Sequence, residues 1–353
     1  MTVSLSNTAD RQAPLAVTMG DPAGIGLELT AHAWHERHAA ELAPFVLYGP
    51  IQELEKRAHA IGRPLPVQVL SHPGEAVACF DIALPAIDLP LPADSEAGKA
   101  DPVNGAAVIR SIEMAVADTV AGTTCAVVTN PIAKSVLYEA GFTYPGHTEF
   151  LAALAKAHLP STPVYPVMMI ASDELRVVPL TIHIPLAQVP HAITAEAIIA
   201  TVRVMSTALE RDFGLASPRI AVAGLNPHAG EDGSMGSEDR AIIAPAIAAL
   251  VAEGLSVSGP HPADTLFHLE RRKSYDAVLA MYHDQALIPA KTLAFDTGVN
   301  VTLGLPFVRT SPDHGTAFDI AGKGIASPAS LIAALRMADT MRLARAKLGV
   351  PNA

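Results

Sequence analysis

The order of apolar and polar residues along the first half of the chain predicts alternating strands and helices. Short apolar runs predict strands at residues 14–19, 45–48 and 67–70. Helical spacing predicts helices at 51–61 and 104–120. In the second helix, five residues share one face: Val108, Ile112, Ala115, Val116 and Thr119. This alternation is typical of an α/β fold with a parallel sheet covered by helices.

The rest of the chain continues the alternation of strands and helices and adds one hairpin. The hairpin is predicted to pair residues 165–171 with 175–184, turning at Ser172-Asp173-Glu174. The segment 72–100, rich in Pro, Ala and Asp, is predicted to be loop with short strands. The remaining predicted strands lie at 125–129, 219–224 and 276–285. The remaining predicted helices are one opened by Asn130-Pro131, one that starts at His147, and three at 193–213, 237–253 and 330–347.

Three of the predicted strands carry a histidine at or just beyond their carboxyl ends. These are His183 before Pro185, His228 in the turn after residue 224, and His283 before Asp284. Ligands of open α/β sheets bind at the carboxyl ends of strands. Three imidazoles with an open fourth position would form a catalytic metal site. The alternative is coincidence, because the chain contains 14 histidines.

Two glycine-rich segments are candidates for cofactor binding. GDPAGIG, residues 20–26, lies between a predicted strand and helix and permits close approach of a ligand. It is not GxGxxG, so it does not indicate a Rossmann nucleotide site. DHGTAFDIAGKG, residues 313–324, contains Gly315 and is predicted to wrap a nucleotide, with Asp319 accepting ribose hydroxyls.

Several polar residues have two interpretations. His147 and Thr148 start a predicted helix, where they either bind an anion or, for Thr148, cap the helix. Asp264 is either a turn residue or a site carboxylate. Lys291 and Arg309 either clamp a phosphate or carboxylate or are ordinary surface cations.

Composition and charge limit the partners that the protein could bind and the cellular compartment in which it could work. The chain has 353 residues and a net charge of −11, which argues against nucleic acid as a partner. Cys79 and Cys125 lie far apart in apolar surroundings, which predicts buried thiols in a reducing compartment. The longest uncharged run, 177–195, contains three prolines and is not a predicted membrane span. Residues 1–12 do not have the pattern of a signal peptide, so we expect a cytoplasmic protein.

Seven motifs in fixed order resemble a known family over residues 17–335. The motifs are GDPAGIG, YPGHTE, LNPHAGEDG, ADTLF, AMYHDQ, GVNVTLGLPFVRTS and DHGTAFDIAGKG. Together they resemble the 4-hydroxythreonine-4-phosphate dehydrogenases of vitamin B6 biosynthesis. The last motif is also similar to the nucleotide loop of isopropylmalate and isocitrate dehydrogenases.

The resemblance implies a two-domain α/β fold like that of isocitrate and isopropylmalate dehydrogenases, and not of the Rossmann type. We expect residues 1–130 plus 295–353 to form a terminal domain with the nucleotide loop. Residues 131–294 would form a central domain with the metal and dimer contacts. The protein would be a homodimer with a shared active site.

The resemblance also implies a role for each candidate residue. The metal ligands would be His183, His228 and His283, the last from the second subunit. Asp264 and Lys291 would be catalytic. The residues implied in substrate binding are His147, Thr148, Lys291, Asn300 and Arg309, and those implied in cofactor binding are Gly315 and Asp319.

The implied reaction is an NAD- and metal-dependent oxidation of 4-phosphooxy-threonine. The β-keto acid formed would decarboxylate to 3-amino-2-oxopropyl phosphate. Zinc is the favoured metal, with magnesium or cobalt as alternatives, and NADP is the alternative cofactor. Related reactions act on threonate or erythronate 4-phosphate or on a dihydrodiol carboxylate. From the histidines alone, a zinc hydrolase is a further alternative, and a non-catalytic binding module is disfavoured.

Overall fold

The computed structural model describes residues 13–351, which divide into two compact units. The terminal unit contains residues 13–162, 306–342 and 351, and the central unit contains residues 163–305 and 343–350. The strands, in chain order, are β1 (Leu15–Thr18), β2 (Phe45–Gly49), β3 (Val67–Val69), β4 (Leu84–Asp88), β5 (Val127–Thr129), β6 (Val167–Ala171), β7 (Arg176–Thr181), β8 (Ile220–Ala223), β9 (Val257–His261), β10 (Ala277–Tyr282), β11 (Val299–Leu303) and β12 (Arg309–Pro312).

Helices cover or connect these strands in both units. In chain order they are α1 (Gly26–His35), α2 (Ile51–Ala60), α3 (Ala76–Cys79), α4 (Gly105–Val120), α5 (Lys134–Glu139), α6 (His147–His158), α7 (Val189–Ala192), α8 (Ala195–Phe213), α9 (Ala244–Ala252), α10 (Ala263–Leu266), α11 (Leu269–Arg272), α12 (His283–Ala294) and α13 (Ala329–Lys347). A π-helical turn, Asp239–Ile243, precedes α9.

The terminal unit contains a wholly parallel sheet with strand order β3-β4-β2-β1-β5-β12. Every residue of β1, β2 and β5 is buried, as expected of parallel strands covered on both faces. Helix α4 buries all five residues of the face predicted from its periodicity. The predicted α/β class is therefore confirmed.

The central unit combines antiparallel and parallel strands in the order β11-β6-β7-β10-β8-β9. The predicted hairpin is present, with β6 pairing antiparallel to β7. Strands β7, β10, β8 and β9 are mutually parallel. Their carboxyl ends therefore lie along one edge of this part of the sheet.

The unit boundaries differ from those expected from the sequence. Residues 131–162 belong to the terminal unit, whereas the sequence analysis assigned them to a central domain. The physical reason is that α5 and α6 both pack against α4. A Cβ atom on Gly105 of α4 would lie 2.4 Å from that of Ala140, directly after α5, so only glycine fits there.

Two predicted elements are wrong in detail. The strand predicted at 276–285 ends at Tyr282, and His283 begins α12, with Asp284 in its first turn. Asp284 is favourable at that position because the helix dipole attracts an acid. Asn130 does not open a helix; α5 begins at Lys134 instead. The Asn130 side chain is fully buried and donates to the Thr18 carbonyl at 3.0 Å.

The structure shows the state of the two cysteines and the length of the apolar helices. Both cysteines are free thiols; Cys125 is buried, and burial raises its pKa to about 12, whereas Cys79 is only partly buried. Across residues 13–351 no single helix is long and apolar enough to cross a membrane. One pair of consecutive helices, Leu186–Ala192 and Ala195–Phe213, has the length and apolar composition of a membrane span only when taken together, and the two are bent by 87°.

Candidate active-site elements

The three strand-end histidines follow three neighbouring strands of the central unit. Strand β10 pairs with β7 on one side and β8 on the other. His183 comes two residues after β7, His283 directly after β10, and His228 in the loop after β8. We call this part of the sheet, with its three residues, the histidine edge.

The single chain brings two of these histidines together. The ring centroids of His183 and His283 are 5.8 Å apart. This proximity is within one chain, whereas the resemblance implied that His283 comes from a second subunit. Over the described residues 13–351, no group of three His, Cys, Asp or Glu side chains is close enough to hold a metal ion. The predicted three-histidine cage is thus not formed within this chain.

Hydrogen bonds between strand ends hold the histidine edge together. Thr181 at the end of β7 donates through Oγ1 to the Met281 carbonyl at 2.8 Å. Gln285 accepts the Met281 amide at 2.7 Å and donates to the Gly224 carbonyl at 2.8 Å. The ends of β7, β10 and β8 are therefore cross-linked by side chains. Gln285 was not among the predicted site residues, although it lies in the AMYHDQ motif.

Two of the three histidines have a backbone conformation that is unfavourable for side chains larger than glycine. The φ angle is 52° at His183 and 53° at His228. The residues from His228 to Asp232 all have positive φ. Such conformations cost on the order of 1 kcal/mol or more per residue, and they cluster at functional sites.

A buried carboxylate holds the start of the His228 loop. Asp239 is 1% exposed and accepts the amides of Leu225 at 2.8 Å and Asn226 at 3.1 Å. It also accepts the Asn226 side-chain amide at 2.9 Å. Asp239 lies in the π-helical turn, a feature that is frequent at functional sites. The sequence analysis did not single out Asp239, because nothing local distinguishes it from a surface acid.

The donor chemistry of the histidine edge fits a divalent metal. The Nδ1 atom of His283 lies 2.7 Å from Oδ1 of Asp284, and a carboxylate partner of this kind orients a metal-ligating imidazole. With Nδ1–H donating to the carboxylate, Nε2 is left to bind a cation. Imidazole nitrogens suit zinc and several other divalent ions.

The predicted catalytic residues line two cavities along α12. Asp264 in α10 lines a cavity of about 390 Å³ together with Asp284 and Gln285. Lys291 lines a cavity of about 460 Å³ together with His283. The amine of Lys291 also lies 5.6 Å from the ring centroid of Phe295. Both predicted residues therefore lie beside the histidine edge.

Asn300, predicted to bind substrate, lies in β11 opposite Ile170 of β6. Its Oδ1 atom is buried and accepts no hydrogen bond from the described residues. A buried amide oxygen without a donor is costly, so this atom is available for a ligand.

A buried guanidinium marks a second group of site residues, in the terminal unit. Arg309 in β12 is 3% exposed and donates to Oγ1 of Thr129 in β5 at 2.7 Å. Burial lowers its pKa to about 10, so it is still charged at neutral pH. It is therefore not an ordinary surface cation, which was the alternative interpretation.

The charge of this guanidinium also acts on His147, the first residue of α6. Its pKa is held well below the usual value by burial, and also by the positive charges of Arg309 and Lys134. The residue before it, Gly146, is the N-cap, and no side chain caps the helix. Thr148 is therefore not the capping residue. A neutral imidazole, a buried guanidinium and uncapped amides together suit an anion.

The two glycine-rich segments lie against each other in the terminal unit. The Ile25 amide donates to the Thr316 carbonyl at 3.1 Å. Buried Glu28 of α1 accepts the Gly322 amide at 3.0 Å. The surface near Gly315 is open, since no atom lies within 4 Å of a Cβ built there, and Asp319 is exposed. An open backbone and an exposed acid fit a nucleotide with ribose hydroxyls.

Asn130 is a further residue whose role the sequence analysis missed. Its Nδ2 donates to the Thr18 carbonyl and to Oγ1 of Thr30, both at 3.0 Å. A Cβ atom on Gly20 would lie 2.7 Å from that of Asn130. Gly20 also has φ 71°, so close packing and backbone conformation both require glycine there. Asn130 thus packs under the turn at residues 20–26.

Residues 41–338 match the family described as pyridoxal phosphate biosynthetic protein PdxA. The chain belongs to this family. The match includes the histidine edge, the residues around Arg309 and the loop 313–324.

Curated relatives in the PdxA family extend over almost the whole chain. A 4-hydroxythreonine-4-phosphate dehydrogenase from Methylorubrum populi is 55% identical over 330 residues, covering 93% of this chain and 94% of the relative. One from Erythrobacter litoralis is 52% identical and covers 95% and 98%.

Solved structures of dehydrogenases are also similar to this chain over most of its length. A 4-hydroxythreonine-4-phosphate dehydrogenase from Klebsiella pneumoniae has a TM-score of 0.84 at 40% identity, covering 94% of this chain and all of that one. A terephthalate 1,2-cis-dihydrodiol dehydrogenase from Burkholderia xenovorans has a TM-score of 0.62 at 28% identity, covering 94% and 98%. The sequence-based recognition of the family is confirmed.

Proposed function

We propose that this protein is an NAD-dependent 4-hydroxythreonine-4-phosphate dehydrogenase. It oxidises the secondary alcohol of 4-phosphooxy-threonine to a β-keto acid, which loses CO2 to give 3-amino-2-oxopropyl phosphate. The observation that carries this proposal is the 55% identity to a relative of that name over nearly the full chain. The three histidines at the ends of β7, β8 and β10 support the same chemistry.

His183, His228 and His283 would hold the metal. A divalent ion held there would polarise the substrate hydroxyl, and a bound nicotinamide would supply the hydride acceptor. Zinc is the favoured ion for an imidazole donor set, with magnesium or cobalt as alternatives. The exposed acid Asp319 favours NAD over NADP, because it would repel a 2′-phosphate.

The chain's own residues bind the substrate and move its proton. Arg309 and His147, with Thr148, hold an anionic group of the substrate at the start of α6. Asp264 takes the hydroxyl proton, and Lys291 balances negative charge that develops on the substrate oxygen. Asn300 accepts a hydrogen bond from the substrate through its buried Oδ1.

We also propose that the protein works as a homodimer in the cytoplasm. Ile288 on α12 and Phe295 directly after it are 65% and 73% exposed and lie beside the cavity that His283 and Lys291 line. An exposed apolar patch next to a site favours a protein partner, and a second copy of the chain would complete the histidine edge. Two free cysteines support a reducing compartment.

The metal proposal is tested with His228→Ala. We expect turnover to fall by about 100-fold or more, as on loss of one electrostatic catalytic group, and the metal content to fall with it. The melting temperature should change little, because His228 is exposed. The matched control is His158→Ala, which removes an exposed histidine at the end of α6. Wild-type turnover in a metal-free His228→Ala protein would rule out the proposal.

One observation supports an alternative class of substrate. The likeness to a dihydrodiol dehydrogenase, with a TM-score of 0.62, keeps a cyclic dihydrodiol carboxylate as the alternative substrate. A panel that also contains threonate and erythronate 4-phosphates, assayed by the absorbance of reduced nicotinamide, separates these reactions. Strict dependence on a phosphate group supports the main proposal.

A further inference from the structure

Lys134 places its amine beside the start of α6, although no motif pointed to it. It is the first residue of α5, and the residue is exposed to solvent. Its Nζ atom lies 3.3 Å, and its Cε atom 3.5 Å, from the position that a Cβ atom on Gly146 would occupy. The missing side chain at Gly146 thus leaves room for the amine next to His147.

The pKa of His147 responds to two cations. Burial lowers the pKa of His147 first, and the charges of Arg309 and Lys134 lower it further. Positive charges that act on the same imidazole attract an anion. The arrangement is therefore suited to a ligand with negative charge.

One acid lies close to the same place. The Oε2 atom of Glu149, in the first turn of α6, lies 2.8 Å from the same Cβ position on Gly146. Within the described chain, Glu149 and Lys134 are not paired at salt-bridge distance. The carboxylate therefore weakens the local positive potential without taking the amine out of use.

We propose that the Lys134 amine binds the phosphate group of the substrate together with Arg309 and His147, an inference that rests on the proposed function. Two cations, a neutral imidazole and the first amides of α6 match the charge and the acceptor oxygens of a phosphate dianion better than those of a carboxylate. Lys134 then selects phosphorylated over non-phosphorylated substrates.

The first test measures anion binding without any turnover. Inorganic phosphate is titrated calorimetrically into the wild-type protein, Lys134→Met and Glu149→Gln. We expect Lys134→Met to weaken phosphate binding by about 10-fold or more, as for loss of a charge-assisted hydrogen bond. Glu149→Gln should strengthen it, because a repelling carboxylate is removed. The matched control is Lys156→Met, which removes an exposed lysine from the last turn of the same helix.

The second test separates binding from chemistry. With the phosphorylated substrate, Lys134→Met should raise KM by about 10-fold or more and leave kcat nearly unchanged, and Lys134→Arg should restore most of the loss. A Lys134→Met protein that matches Lys156→Met in both phosphate binding and KM would overturn the inference. If that protein still reduces NAD, the proposed function stands. If the wild-type protein does not reduce NAD but loses phosphate binding in Lys134→Met, the anion site stands and the proposed function fails.

Discussion

His183 and His228 show how single residues are held in costly conformations at the proposed site. Both have positive φ, and both are exposed to solvent, so packing around their rings does not compensate for the strain. At His228 the compensation comes from neighbours, above all from Asp239, which accepts three hydrogen bonds from Leu225 and Asn226. A site whose ligands are strained depends on buried residues that never contact the substrate.

At the residue scale we therefore expect Asp239→Asn to be damaging. An amide offers one acceptor oxygen where the carboxylate offers two, and its NH2 group would face the donors of Asn226. The free energy of unfolding should fall by roughly 1–3 kcal/mol, and metal binding should weaken with it. Denaturant unfolding and metal titration measure the two effects.

The control for Asp239→Asn is Asp232→Asn, in which an exposed acid of the same loop is changed. Equal stability and equal metal affinity in both variants would contradict the role given to Asp239.

At the scale of elements, α12 combines three tasks in 12 residues. Its first residue, His283, belongs to the histidine edge. Its buried face, which includes Ala286 and Ala290, packs on the core of the central unit. Its exposed residue Ile288, together with Phe295 directly after the helix, is the proposed dimer contact. One helix would then link assembly to the catalytic site.

This arrangement predicts that breaking the dimer also reduces activity. Ile288→Glu places a charge in the proposed apolar contact, where burial of an unpaired charge costs several kcal/mol. Sedimentation velocity should show a monomer, and turnover should fall by about 10-fold or more if the second copy completes the site. Ile82→Glu, at an equally exposed apolar residue of the terminal unit, should leave the dimer intact. A dimer in both variants would show that α12 is not the interface.

At the scale of the whole molecule, histidines with lowered pKa values make stability depend on pH. The pKa values of His147, His32 and His261 are all lowered, in each case mainly by burial. On acidification, these histidines therefore bind protons at a higher pH in the unfolded chain than in the folded protein. Their contribution is fully present above the ordinary histidine pKa of about 6.5 and is lost as the pH falls below it.

We expect the melting temperature to fall on acidification from about pH 7.5 to about pH 5.5, a range that spans the ordinary histidine pKa. His147→Gln removes one of the groups responsible, so its melting temperature should fall less over the same range. Parallel curves for the two proteins would show that His147 does not contribute. The raised pKa values of Asp21 and Glu28 act in the opposite direction at lower pH, since the folded protein then binds protons more readily.

Local patterns were sufficient for most elements and insufficient for several side-chain roles. The buried face of α4 and the hairpin of β6 and β7 follow from periodicity and turn residues. The start of α12 at His283 and the packing of Asn130 under the turn at residues 20–26 do not. Both depend on what surrounds the segment in the folded chain, which no window of neighbouring residues contains.

The sequence by itself determined the fold class, the family and the presence of a histidine after each of three apolar strands. Only the tertiary structure decided that β10 lies between β7 and β8, although β8 precedes β10 in the chain. That order places the three histidines along one edge. Separate tertiary contacts bring Asp239 to the His228 loop and the Lys134 amine to the start of α6. The physical reason is that strand pairing and helix packing join residues far apart in sequence, whereas hydrophobic periodicity reports only whether a residue is buried.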